Sequence, residues 1–250
     1  MNRAVILMVL MIVITTSASA GVILNTVSGS GGPTPGWTGG ISGSFDASGG
    51  NSERMTLSGG GRIVWSDDND VWRMQGQVER AESQSQEIAR SVVGHLRQNH
   101  QLTGSLFSVS FVQLQHNPFQ RLQSRWLFGA GGRWDMFDDE FGKLSVGATH
   151  MLEVERIDGV SGQETDHRLS AFIVVSRKIS ENTKLTGVSF VQPKWSEFSD
   201  RRAMGKLGLD VSLTGSLSLN VGGSLEYDSN PPEGVDTTDW KTTTGLSVKF

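Results

Sequence analysis

The sequence has no cysteine, only six prolines and a single tyrosine among its 250 residues. Without cysteine, a disulfide scaffold, a thiolate metal site, a cysteine nucleophile and a lipid-modified N-terminal cysteine are all excluded. The 22 basic and 26 acidic residues nearly balance, so we expect no nucleic-acid partner. The chain is nevertheless too rich in tryptophan and other apolar residues to be disordered, and its 31 glycines follow no period of three.

A long hydrophobic run occurs only near the N-terminus, over residues 4–14. Arg3 precedes it and Ala18-Ser19-Ala20 follows it, which is typical of a cleaved signal peptide. The run is too short for a membrane helix, which needs about 20 residues, although an uncleaved anchor is the alternative. We predict a signal peptide over 1–20 and, from its glycine, serine and proline content, a flexible periplasmic lead-in over 21–36.

From Trp37 onward, apolar residues recur at every second position in segments of about ten to fourteen residues. Clusters of aspartate, asparagine and glycine separate the segments, as turns separate strands. We count about twelve strands, with ten as the alternative. The fifth segment (about 102–114) and the ninth (about 184–192) are apolar on both faces, so their registers stay open.

Three features favour a membrane barrel over a soluble periplasmic all-β protein. The strands fit the roughly 9–11 residues of a membrane-spanning strand rather than the shorter strands of a sandwich. The connections are short at one end of the predicted strands and longer at the other end, with 135–141 as an exception. Aromatic residues fall at two levels, as the girdles of a membrane barrel do. The predicted girdle residues are Trp37, Trp65, Trp72 and Trp134 at one level and Phe45, Tyr227 and Trp240 at the other.

The predicted fold is therefore all-β: a closed, antiparallel, up-and-down transmembrane β-barrel over residues 37–250, with outer-membrane lipid as its surroundings. Closure follows because every backbone polar group must be paired within hydrocarbon. The faces opposite the apolar ones carry charges and lean basic, so we expect a lumen mostly filled by arginine–carboxylate networks, with at most a narrow, anion-leaning passage. The predicted lumen-lining residues are Arg54, Arg62, Arg73, Glu79, Arg121, Arg125, Arg133, Glu153, Glu155, Arg202, Lys206, Asp210, Glu226 and Lys241.

The C-terminal strand resembles the terminal signal of outer-membrane barrels. The resemblance lies in Thr243, Gly245, Val248 and the terminal Phe250. It implies delivery to the barrel-assembly machinery, with Phe250 as the main recognition residue, and the same phenylalanine can also serve as a girdle residue.

The body of the chain resembles the salt-induced outer-membrane protein family (YdiY-like, a domain of unknown function). The resemblance rests on Ser48-Gly49-Gly50-Asn51-Ser52, on Trp72 opening a strand rich in arginine, glutamine and glutamate, and on the segment from Phe128 to Trp134. That family implies an outer-membrane barrel but brings no established activity, substrate or catalytic residue.

Motifs that carry catalysis are missing. None of the five histidines has a serine two residues later, and neither Gly-x-Ser-x-Gly nor His-Glu-x-x-His occurs. Asp166-His167 lacks a partner acid pair, Asp67-Asp68-Asn69-Asp70 is best explained as a polar hairpin turn, and His150 as a lipid-facing histidine. The segment 129–132 has no following helix to bind a phosphate. We predict no catalytic, cofactor or metal site.

The sequence thus predicts an exported, non-enzymatic outer-membrane barrel with a structural or stress-response role in the bacterial envelope. A small anion-leaning channel for small solutes is the alternative, and an outer-membrane hydrolase is a remote one.

Overall fold

The computed structural model describes residues 35–48, 54–215 and 217–248. They form one antiparallel sheet in which each strand pairs with its neighbours along the chain. Its strands are β1 (Gly36–Ser48), β2 (Arg54–Ser66), β3 (Asp70–Ser83), β4 (Gln86–Thr103), β5 (Leu106–Asn117), β6 (Leu122–Asp138), β7 (Gly142–Ile157), β8 (Glu164–Ser180), β9 (Thr183–Pro193), β10 (Arg201–Ser212), β11 (Leu217–Asp228) and β12 (Thr238–Val248). A single 3₁₀ turn, Pro118–Gln120, joins β5 to β6.

The predicted all-β, up-and-down arrangement of twelve antiparallel strands is confirmed. The sheet is curled into a half-barrel. Among the described residues no ladder joins β1 to β12, so closure between these two strands stays a prediction. No helix in the described part of the chain has the length and hydropathy of a membrane span. The predicted signal peptide, most of the lead-in and Phe250 lie outside the described residues.

The two ends of the sheet differ in the length of their connections. At the end where β1 begins and β12 ends, the strands are joined through 67–69, 104–105, 139–141, 181–182 and 213–216, and we call this the short-turn end. The opposite, long-loop end carries 158–163, 194–200 and 229–237, together with the shorter connections 84–85 and 118–121. The expected exception at 135–141 is wrong, because β6 continues to Asp138 and leaves only 139–141 as the turn.

The strands form because the residues alternate between two faces. On β6, Trp126 and Phe128 are 41% and 42% exposed, whereas Arg125 and Leu127 are 9% and 5% exposed. We call the exposed, mostly apolar side the outer face and the opposite side the inner face. The two open registers are now fixed, because Val109 and Gln113 of β5 and Val188 and Phe190 of β9 are buried on the inner face.

Candidate functional site on the inner face

Three arginines and four carboxylates form one connected network at the long-loop end of the inner face. Glu153 is its centre, since all three arginines pair with it. Each arginine also reaches a second carboxylate, at N–O distances of 2.7 Å (Arg125–Glu155), 2.9 Å (Arg168–Asp200) and 2.8 Å (Arg202–Asp228). The members of this mouth network are Arg125, Arg168, Arg202, Glu153, Glu155, Asp200 and Asp228.

Loops cover the mouth network. Pro232 and Val235 of the loop 229–237 line, together with Arg125 and Arg202, a cavity of only about 50 Å³. Arg121, just before β6, holds this loop in place. Its guanidinium donates hydrogen bonds to the Glu233 carbonyl at 3.1 Å and to the Asp158 carbonyl at 2.9 Å. Ion pairs between loop residues and strand residues also stabilise this end of the sheet, which we call the rim.

One such rim pair joins the loop 194–200 to β8. The Lys194 ammonium lies 2.8 Å from the Asp166 carboxylate. Its hydrogen bond to Asp166 holds the pKa of Lys194 above its usual value of 10.5. Lys194 is therefore a cation at neutral pH, and Asp166 is bound in a structural ion pair.

Below the mouth network, the inner face carries a group of apolar side chains, with Gln113, Thr149 and Ser170 buried among them. Along β6 and β7 this group begins at Leu127 and Met151, one inner position beyond Arg125 and Glu153. Two of its rings, Phe172 and Phe190, pack with centroids 5.6 Å apart, and a cavity of about 20 Å³ remains beside them. Phe172, Val174, Val188, Phe190 and Met204 form one buried cluster, and Leu127 and Met151 line the same small cavity as its two rings; we call these seven residues the apolar layer.

Glycines make room for the rings of the interior. A Cβ atom on Gly147 would overlap the Phe172 ring, and one on Gly129 would overlap the Phe111 ring. Phe111 in turn stacks on His95, at 5.4 Å between ring centroids, and His95 is hydrogen-bonded to Gln113 at 2.7 Å. The glycines therefore let large side chains fill space close to the sheet.

A basic layer lies toward the short-turn end. Arg73 and Arg97 are register partners on β3 and β4, and both are buried. The Arg97 guanidinium lies 5.2 Å from the Phe172 ring centroid, and that of Arg133 lies 4.1 Å from the Phe107 centroid. Asp135 pairs with Arg133 at 2.8 Å and with Lys143 at 2.7 Å. We define the basic layer as Arg73, Arg97, Arg133 and Lys143 together with Asp135.

The predicted lumen-lining residues divide into five groups. Arg73, Arg125, Glu153 and Glu155 are buried on the inner face, while Arg133, Arg202, Glu79, Lys206, Asp210 and Glu226 are half-buried there. Arg62 is exposed beside the edge strand β1 and pairs in register with Gln75. Arg54 and Lys241 are described through their backbone, paired with Ser83 and Ser224. Arg121 lies in the left-handed turn before β6 rather than within the strand.

Some residues of this interior were not singled out from the sequence. Arg97 and His95 could have been found, because Val92 and Leu96 mark the outer face of their strand and so place 95 and 97 inside. Asp228 could also have been predicted, because it follows the alternating inner-face positions of β11. Asp200 lies in a loop, where alternation gives no information. One sequence feature could have predicted the apolar inner residues. The fifth and ninth segments are apolar on both faces, so each must carry apolar side chains on its inner face as well.

On two strands, β3 and β8, the outer face carries apolar windows of equal length. On β3 the window covers residues 71–79, between Asp70 and the exposed Arg80, and on β8 it covers 168–176, between His167 and the exposed Arg177. Both windows match the length that a tilted membrane strand needs. Beyond the β3 window, Arg80 pairs with Glu82 at 2.7 Å and with Glu87 at 3.2 Å, as expected of a hydrated surface.

Aromatic residues border these windows. At the short-turn end Trp37, Trp65 and Trp72 are successive register partners on β1, β2 and β3, and Trp134 lies near the end of β6. At the long-loop end, Tyr227 and Trp240 lie near the ends of β11 and β12. Trp126 and Trp195, which the girdle prediction did not include, lie at this end as well. Phe45 is described through its backbone in β1, as are the signal residues Thr243, Gly245 and Val248 in β12.

Each histidine of the chain is bonded to a partner other than serine. His95 bonds Gln113, His100 bonds Asp70, His116 bonds the Gln123 carbonyl, and His150 bonds His167 at 3.2 Å. The described ranges contain no group of three or more histidines and carboxylates that could hold a metal ion.

The acidic segment that begins at Asp67 forms the β2–β3 hairpin turn. Its Asp67 carboxylate accepts the backbone N–H groups of Asn69 and Asp70, at 2.9 and 2.7 Å. Its oxygens therefore stabilise the turn itself.

Comparison with known proteins agrees with this architecture. The family model described as "Protein of unknown function, DUF481" matches residues 41–250, so the chain belongs to that family, and the predicted resemblance to an outer-membrane family of unknown function is confirmed. No curated protein matches.

Solved structures of outer-membrane proteins are similar to this chain. The NanC porin is 12% identical at a TM-score of 0.51, over 86% of this chain and 99% of that one. The translocator domain of the autotransporter NalP from Neisseria meningitidis is 13% identical at 0.41, over 86% of each chain. The likeness to the NanC porin identifies the fold as that of an outer-membrane β-barrel protein.

Proposed function

We propose that this DUF481-family protein is an integral outer-membrane β-barrel with a non-catalytic, structural role in the bacterial envelope. The observation that carries the proposal is the close packing of the inner face along β6 and β7, while a larger cavity of about 520 Å³ lies at the short-turn end, lined by Lys143, Ser176 and Asp210. The mouth network and the apolar layer follow one another along β6 and β7, and the cavities between them measure about 50 and 20 Å³. A cavity of this size holds one or two water molecules and no continuous water column.

The placement in the outer membrane is part of the same proposal. It is supported by the apolar windows of β3 and β8, by the aromatic residues that border them and by the difference between the two ends of the sheet. The predicted signal peptide would export the chain, and the terminal pattern Thr243, Gly245, Val248 and Phe250 would deliver it to the barrel-assembly machinery.

Electrical recording tests the proposal directly. The full-length mature protein is refolded in detergent, its fold is checked by a heat-dependent shift on a gel, and it is added to a planar lipid bilayer. We expect no stepwise ion current from the folded protein. A Glu153→Ala, Arg202→Ala double variant, which removes the centre of the mouth network, should conduct more than the wild type, whereas Glu181→Ala in the exposed turn 181–182 should behave like the wild type.

A small anion channel is the second candidate, and the basic layer favours it. In that layer Arg133 and Lys143 share the buried carboxylate of Asp135, and Arg73 and Arg97 are buried on the neighbouring strands β3 and β4. A passage lined in this way would prefer anions. Regular current steps from the wild type, with an anion preference that Arg133→Glu reduces, would refute the closed structural role and establish the channel instead.

A further inference from the structure

Two histidines meet on the outer face, toward the long-loop end. His150 of β7 pairs in register with Leu169 of β8, which places it diagonally opposite His167, two residues away along β8. Both histidines are exposed. Diagonal neighbours on one face of a sheet are within reach of aromatic and other long side chains, and here the two imidazole rings are in contact.

The distance between the two rings matches the distance between two ligands of one metal ion. Nδ1 of His167 lies 3.2 Å from Nε2 of His150, and the rings stack with their centroids 5.1 Å apart and their planes at 25°. Zinc binds imidazole nitrogen at about 2.0–2.1 Å, so two nitrogens on one ion lie about 2.9–3.4 Å apart when they subtend about 90–110° at the metal. The pair therefore has the nitrogen spacing that one transition-metal ion requires.

The other three histidines have different kinds of partner. His95 is bonded to an amide, His100 to a carboxylate and His116 to a backbone carbonyl. In the remaining pair, two imidazoles share one hydrogen bond. A neutral imidazole binds a metal through the lone pair of one ring nitrogen and keeps its proton on the other nitrogen. Both rings of the pair can adopt this form, so one hydrogen bond can be exchanged for two metal bonds.

Water has access to the other coordination positions. His167 lies at the end of the apolar window of β8, where the hydrated surface begins. Asp166, its neighbour in the chain, is bound to Lys194. In the described ranges no third histidine or carboxylate joins the pair to form a larger ligand group. An ion held here would have two protein ligands and exchangeable water molecules, as in an open rather than a closed metal site.

We propose that His150 and His167 form a binding site for copper(II) or zinc on the outer face. Imidazole suits both ions, and a site of nitrogen ligands binds copper(II) more tightly than zinc. The oxygen-preferring ions magnesium and calcium should not compete. By bridging two strands, the bound ion stabilises the long-loop end of the β7–β8 ladder. The site goes beyond the proposed structural role, because an ion can bind there whether or not the lumen conducts.

Calorimetric titration of the refolded, untagged mature protein with copper(II) or zinc, in a neutral detergent with excess magnesium, measures the binding. We expect one saturable site that binds copper(II) more tightly than zinc. His150→Gln and His167→Gln should each weaken the affinity by about tenfold or more, because each removes one of only two protein ligands. His116→Gln is the matched control, since His116 is a single imidazole bonded to the Gln123 carbonyl. The heat-dependent shift on a gel verifies that every variant is folded.

Unfolding by urea supplies a second readout. The unfolded chain does not hold the two imidazoles together, so saturating zinc should raise the midpoint of the wild type and of His116→Gln. This gain should be absent from His150→Gln and His167→Gln. No binding by the wild type, unchanged binding in either of these two variants, or an equal loss in the control would overturn the proposal. Because binding is measured in detergent, the outcome is independent of the bilayer recordings.

Discussion

Replacing Glu153 by glutamine removes the charge at the centre of the mouth network while keeping the size of the side chain. Glu153 is 2% exposed and pairs with three arginines. Breaking a buried ion pair by removing one partner typically costs about 3–5 kcal/mol. Here each arginine keeps a second carboxylate, so we expect the free energy of unfolding to fall by about 3 kcal/mol, the lower end of that range.

The loss can be measured by urea unfolding of the refolded protein in lipid vesicles, followed by tryptophan fluorescence. Glu181→Gln, in an exposed turn, is the matched control and should change the free energy of unfolding by no more than about 0.5 kcal/mol. A double-mutant cycle with Arg202→Gln should give a coupling energy of at least about 1 kcal/mol. If Glu153→Gln were as stable as the control, the network could not be what holds the long-loop end together.

Two further substitutions test the interior packing and the outer face. Gly147→Ala should lower the free energy of unfolding by about 1–3 kcal/mol, because the new Cβ displaces the Phe172 ring. Gly94→Ala, which has open space around its Cβ, should not, and equal losses would contradict the packing described here. In lipid vesicles Ile173→Arg, near the middle of the β8 window, should cost about 2–4 kcal/mol and Ile179→Arg, outside that window, about 1 kcal/mol or less. Similar costs at the two positions would argue against a bilayer around this face.

The strand order could be predicted from the sequence because most strands alternate between an apolar outer face and a more polar inner face. The outer face is mostly apolar, so a period of two recurs along most segments from Trp37 to Trp240 and reveals those strands one by one. The same criterion misplaced the end of β6. Asp135 suggests a loop when taken alone, but it lies inside the strand because Arg133 and Lys143 neutralise it from the inner face.

The interior could be predicted only in part. Arg125, Glu153 and Arg202 followed from alternation, but their meeting could not, because β7 and β10 come together only through the curl of the sheet. The apolar layer was missed for a related reason. Phe172 and Phe190 are register partners on β8 and β9, but Phe172 also contacts Arg97 of β4 across the curled sheet, and alternation within one strand carries no information about what lies across the lumen.

The apolar windows of β3 and β8 also set a preference among lipids. About 9 residues, rising about 3.4 Å each along strands tilted by about 40°, span a hydrocarbon layer of about 23 Å. That is thinner than the roughly 30 Å core of an average bilayer. The protein should therefore insert fastest into vesicles of short-chain lipids, and longer acyl chains would have to compress around it, which adds an elastic cost for every extra methylene.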